Sequence, residues 1–160
     1  MPTEVPIERL IDELSQSPQI IGGALSTLGN RAALNGSDGE WSPRQIVEHL
    51  TALQIVWSDL MHAAYESGAL PNREAHWMQI VDEFQLNRVP LKKLMDRFSS
   101  DRAKLVAFLG SLSETELMHE YEFRLKNGKP TSRSIDGIAQ RLLRHEQQHI
   151  RVLLKAIATS

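Results

Sequence analysis

The chain is 160 residues long, with 18 Lys plus Arg against 20 Asp plus Glu, a formal net charge of −2 and no cysteine. That length suits one domain, residues 1–160, around a single sizeable core, and the balanced charge offers none of the basic surface that displaces counterions from nucleic acid. The missing thiols exclude disulfides, thiolate zinc sites, iron–sulfur clusters and a cysteine nucleophile, so any metal must be held by His, Asp or Glu.

The opening residues, Met1 to Pro6, carry an acid and no early base, which reads as neither a signal peptide nor a transit peptide. Apolar runs such as Leu105 to Leu109 fall far short of the ~20 residues a spanning helix needs. A cytoplasmic protein without membrane contact is the expectation. Along the chain the pattern is helical throughout, and no stretch alternates over a strand's length. The first helical segment covers about Pro6 to Leu34, with Pro18 interrupting it and Ser17-Pro18 reading as a fresh N-cap followed by proline at the first helical position. Asn35 to Gly39 is a loop. Trp41-Ser42-Pro43-Arg44-Gln45 then opens the second helix: Ser42 caps, Pro43 fits the first turn, and Gln45 stands where a capping-box partner reaches back. That helix runs to about Ser67, with Ile46, His49/Leu50, Leu53, Val56/Trp57 and Leu60 along one face.

Gly68 to Pro90 is too long for a simple helix hairpin. Its middle, Asn72 to Phe84, has the spacing of a short extra helix, and a crossover of this length lets its flanking helices run in the same direction. The third main helix is about Leu91 to Leu112, striped by Leu91, Leu94/Met95, Phe98, Leu105, Phe108/Leu109 and Leu112. Ser113 opens a short acidic helical turn, Asn127 to Pro130 forms a turn, and the fourth main helix starts near Ser132–Ser134 and ends near Ala158. Its inner face reads Ile135, Ile138/Ala139, Leu142, His145, His149, Leu153, Ala156/Ile157. The fold class is therefore all-α, a four-helix bundle.

Two histidines, His145 and His149, stand on the fourth stripe where leucine is expected. At i and i+4 their Cβ atoms lie roughly 6 Å apart, close enough to share a metal ~2.1 Å from each ring nitrogen. His49 takes a stripe position on the second helix. It lies about 9 Å from that helix's start and His149 about 13 Å from the last helix's end, at 1.5 Å per residue. The three come level if those helices run antiparallel, which the long crossover supplies in an up-down-down-up bundle. The spacing leaves two readings open: a three-His metal site, or polar core histidines.

The stretch Trp41 to Leu50, with Ser42-Pro43-Arg44-Gln45 and Glu48-His49, resembles the second-helix opening of the DinB/YfiT-like superfamily. Arg144-His145-Glu146-Gln147-Gln148-His149-Ile150 is similar to that family's last-helix histidine pair. Val89-Pro90-Leu91, Gly128 and Thr131 also fall in familiar places, and the resemblance spans about Leu10 to Ile157. It implies a bundle with the crossover connection and a divalent transition metal (Zn, Ni, Fe or Mn) on His49, His145 and His149. It also implies chemistry of the kind found in that family, which includes bacillithiol S-transferases and mycothiol-dependent isomerases: a thiol-dependent transferase or a hydrolase acting on a small-molecule substrate, with a low-molecular-weight thiol as a second cofactor. Family members often form homodimers. Related iron enzymes carry a glutamate two residues after the histidine pair; Arg151 stands there in this chain, which disfavours that branch. A non-catalytic metal-binding or interaction bundle, stress-related, is the alternative function.

The remaining candidates have two readings each. Asn72, Arg73, His76 and Trp77 lie on the crossover, as contacts closing over the open end of the site, with Arg73 suited to a substrate carboxylate, or as an ordinary surface loop with Trp77 packed on the bundle. Glu48 and Glu146 adjoin ligands, but 100° per residue turns them away: they read as solvated surface carboxylates, with a supporting role behind the ligands as the alternative. His62 and His119 read as exposed, Trp41 as a staple of the loop to the second helix, and Trp57 as core.

Overall fold

The computed structural model describes residues 5–33, 41–70, 76–125 and 127–158. Four long helices make the frame: α1 (Ile7–Leu28), α2 (Pro43–Ser67), α4 (Leu91–Ser111) and α6 (Ile135–Ala158). Between them lie a 3-10 turn (Gly29–Ala33), α3 (Trp77–Leu86), α5 (Glu114–Met118) and a hairpin of β1 (Tyr121–Arg124) with β2 (Pro130–Arg133).

Two apolar clusters give the direction of every helix. One joins Leu10 and Leu14 of α1, Met61 and Ala64 of α2, Leu105 and Leu109 of α4, and Ile135 to Leu143 of α6. The other joins Ile21 to Leu28, Ile46 to Leu50, Leu94 and Phe98, and Ile150 and Leu153. The start of α1 therefore meets the ends of α2 and α4 and the start of α6, which is the up-down-down-up order. Each of α1 and α6 packs on the other, α1 also packs on α4, and α2 packs on α4 and α6. Neighbours α2 and α4 run parallel because the crossover carrying α3, packed on α2, returns the chain to the same end. No helix among the described residues is long and apolar enough to cross a membrane.

At the middle of the bundle, between the clusters, the packing turns polar. The guanidinium of Arg102 on α4 is 1% exposed. It donates from Nη1 to the Leu14 carbonyl of α1 at 2.9 Å and to Glu146 Oε1 of α6 at 3.0 Å, from Nη2 to Glu146 Oε2, and from Nε to Gln54 Oε1 of α2. Gln54 in turn donates to the Phe98 carbonyl at 3.0 Å, and the guanidinium carbon lies 4.9 Å from the Phe98 ring centroid. One side chain thus bonds to the other three helices.

Several expectations are corrected. Pro18 does not interrupt α1, and Ser17 is no fresh cap: the helix is continuous through both. Proline removes the N–H that would bond the carbonyl four residues back, here Leu14, and Arg102 supplies the missing donor. The Ser17 hydroxyl donates to the Glu13 carbonyl at 3.1 Å. The hairpin was not expected. Its strands have four residues each, pairing Tyr121 with Arg133 through Arg124 with Pro130, too short for alternation to stand out from a helical background. It takes Ser132 and Arg133, so α6 begins at Ile135, with the Ser134 hydroxyl accepting the Gly137 N–H at 2.9 Å. The extra helix of the crossover is α3, Trp77–Leu86, in place of Asn72 to Phe84; the expected stretch Asn72 to Ala75 lies outside the described residues, as does the loop Asn35 to Gly39. The capping box of α2 is as read: Gln45 N donates to Ser42 Oγ at 3.1 Å, and Ser42 N to Gln45 Oε1 at 2.7 Å.

Candidate metal centre

The antiparallel pairing of α2 and α6 brings His49 level with His145 and His149. The Nε2 atoms of His49 and His145 lie 2.9 Å apart, and those of His149 and His145 3.1 Å apart. One ring nitrogen of each lies within 4.8 Å of the other two. A tetrahedral cage with bonds of ~2.1 Å needs nitrogens about 3.4 Å apart, close to this spacing. His145 Nε2 faces two ring nitrogens at once, whereas a neutral imidazole nitrogen carries either one proton or one lone pair. A cation at the shared centre satisfies all three, so the donor set fits a metal.

The surroundings keep the rings neutral. His49 is 5% exposed; burial, followed by the adjacent His149 and His145, pushes its imidazole down to about 3 from 6.5. Burial first and His145 second push His149 down to about 4. Burial also lowers His145, opposed by the carboxylate of Glu146. Neutral imidazole is the form that ligates. His49 Nδ1 has no hydrogen-bond partner among the described residues.

Around the histidines stand indoles. Trp41, just before the Ser42 cap, lies parallel to His149 (interplanar angle 4°, centroids 5.8 Å apart) and edge-on to His49 at 4.9 Å. Trp77, the first residue of α3, meets His49 edge-on at 4.4 Å and Trp41 at 6.4 Å. Trp57 lies 6.4 Å from His145. The chain has three tryptophans, and each contacts the cluster. Trp41 is therefore more than a staple, and Trp57 is half-buried beside the site. Of the other crossover candidates, Arg73 and Asn72 lie outside the described residues. His76 is exposed and, among the described residues, makes no ring contact with the three histidines.

The expectation for Glu48 and Glu146 is corrected: they are 2% and 1% exposed. Turning them off the histidine stripe points them at neighbouring helices instead of solvent. Glu146 pairs with Arg102, and Glu48 Oε1 accepts from Gln85 of α3 at 3.4 Å, with Arg44 Nε 3.9 Å from Oε2. Arg102 escaped the reading although its signal was present: it stands four residues after Phe98 and three before Leu105, a charged residue on the apolar stripe. His62 is half-buried rather than exposed, stacked on Phe108 at 4.0 Å with Nδ1 2.7 Å from the Ser58 carbonyl. His119 is exposed, as expected.

The model of the DinB superfamily matches residues 7–153. Among solved structures, YfiT from Bacillus subtilis, described as a probable metal-dependent hydrolase with an unusual four-helix bundle topology, superposes with a TM-score of 0.78 at 16% identity, over 99% of this chain and 91% of that one. A mycothiol-dependent maleylpyruvate isomerase superposes with a TM-score of 0.63 at 16% identity, over 92% of this chain and 59% of that one. At such identities the likeness concerns the fold. No curated protein matches the sequence significantly.

Proposed function

The chain belongs to the DinB superfamily, and from that premise we propose that it is a metal-dependent enzyme whose His49, His145 and His149 hold one divalent transition metal ion beside a small-molecule substrate. The observation that carries this reading is the convergence of three neutral ring nitrogens from two antiparallel helices. Bound there, a divalent cation lowers the pKa of a thiol or water placed next to it and so supplies a nucleophile at neutral pH, for S-transfer or hydrolysis. The three uncharged ligands leave the cation its full charge, which favours that chemistry. His49 is fixed by burial in α2, and His145 and His149 by the ion pair that anchors Glu146 between them. The relatives' descriptions, a probable metal-dependent hydrolase and a mycothiol-dependent isomerase, support water and thiol respectively. Cytoplasmic location and assembly as a homodimer belong to the same proposal.

A second reading, a metal-binding bundle without turnover, is favoured by one observation: among the described residues no carboxylate is hydrogen-bonded to the three histidines, whose ring-nitrogen contacts are with one another. The test is elemental analysis of untagged protein beside a His149→Ala variant. About one equivalent of transition metal in the parent and little in the variant is expected, since three protein ligands define the site. A parent that stays empty after incubation with Zn, Ni and Fe(II) salts would refute the proposal.

A further inference from the structure

The three histidines have a polarity pattern unusual for a metal pocket. Among the described residues their ring contacts beyond one another are with indoles, and the carboxylate of Glu146, next to His145 in the chain, has both oxygens taken by the buried Arg102. Of the three indoles, Trp57 lies farthest from its histidine, while Trp41 and Trp77 meet each other edge to face and both meet His49. Trp41 is 41% exposed although it is among the largest apolar side chains of the chain. An indole held that open keeps apolar area uncovered, and covering it with another flat group releases water and adds a stacking contact. Trp41 stands just before the Ser42 capping box that opens α2, with its ring against His49, His149 and Trp77, and Trp77 opens α3, which packs on α2, so both rings already stand beside the histidines.

We propose that Trp41 and Trp77 form a recognition wall beside the three-histidine centre that selects ligands carrying a flat aromatic or apolar group next to their metal-binding atom. This rests on the metal reading given above. An indole face also attracts cations, but a cationic group would sit against the charge of the divalent ion, which leaves a neutral flat group as the matching chemistry. The substrate class is then a thiol, ester or amide whose reacting end bears an aromatic ring or a comparable flat apolar body, in preference to a small aliphatic one. Trp41 and Trp77 act as specificity residues and take no part in holding the metal.

The experiment uses the full chain loaded with cobalt(II) and titrated with two probes that share one donor set and differ by a phenyl group, benzohydroxamate and acetohydroxamate, read from the cobalt absorption bands. Benzohydroxamate is expected to bind about tenfold more tightly, the size of one good aromatic contact. In Trp41→Ala that preference should fall to about twofold or less, with cobalt content and acetohydroxamate affinity kept. Trp41→Phe, which retains a smaller ring, should be intermediate and serves if the alanine variant loses cobalt. Equal affinities in the parent, or a preference that survives in both variants, would overturn the proposal while leaving the metal reading intact. A parent that takes up no cobalt would sink both.

Discussion

A buried imidazole is held neutral at a cost that depends on pH. His49 and His149 have folded-state values of about 3 and about 4 against 6.5 when exposed, so below pH 6.5 the unfolded chain takes up protons that the folded chain refuses. The stability they contribute is present above that value and is lost as pH falls from it towards about 4 and then about 3. Metal-free protein should therefore show a urea midpoint that drops between pH 7 and pH 4, and His49→Leu should flatten that drop; equal slopes in parent and variant would contradict the burial of the neutral ring. The histidines were legible because a polar residue on an apolar stripe is conspicuous, and because two of them stand one helical turn apart. The same signal at Arg102 went unread, since a lone arginine between Phe98 and Leu105 resembles a surface residue until Glu146 and Gln54 are placed opposite it. Trp77 reads from sequence as one of the crossover contacts over the site, but Trp41 reads only as a staple of its loop: the two stand far apart in the chain, and only the crossover path brings their rings to 6.4 Å.

At the scale of elements, the start of α2 does two things at once. Its capping box satisfies backbone groups that the first turn leaves without partners, and it fixes the angle at which Trp41 leaves the helix. Ser42→Ala should cost about 1 kcal/mol of stability in urea unfolding and should also weaken the contact of Trp41 with His149, seen as a changed tryptophan emission in the metal-free protein. An unchanged midpoint would show that the cap contributes nothing. Elements with strong local signals, the cap and the long amphipathic stripes, were read correctly from sequence. Those decided by partners distant in the chain were not. Pro18 reads as a break because proline lacks the helical donor, yet α1 continues with the guanidinium of Arg102, far along the chain on α4, filling the vacancy. The hairpin escaped for the same kind of reason: Tyr121 is 8% exposed within the apolar cluster that also holds Leu117 of α5 and Ile135 of α6, a tertiary cause that four residues cannot announce.

For the molecule as a whole, the ion pair of Arg102 with Glu146 is a test of how the bundle is held. Arg102→Met alone leaves a buried carboxylate unpaired, and a loss of about 3–5 kcal/mol is expected. Adding Glu146→Leu removes the stranded charge and should recover part of that loss, because an apolar pair of similar volume often matches a buried ion pair, while the Leu14 carbonyl and Gln54 Oε1 stay without the donors that Arg102 gave them. Calorimetry on the two variants decides it: a double variant no better than the single would mean that the charge itself was not the problem. The topology was legible because a long connection after the second helix leaves few ways to bring His49 level with His145 and His149. The polar middle was not, since it is assembled from single residues on separate helices.

That polar middle also bears on how the chain finds its fold. Two greasy halves joined end to end would accept many threadings, because leucine and isoleucine fit a neighbouring helix in several rotations and slips. A guanidinium with a partner on each of the other three helices accepts one. A helix shifted by a turn, or exchanged with its neighbour, strands a charge in a medium that does not solvate it, so misassembled bundles lie well above the native one. On the same argument the two halves are expected to unfold in one transition, with the histidines next to that layer released together with it; hydrogen exchange that showed one end opening well below the other would contradict this.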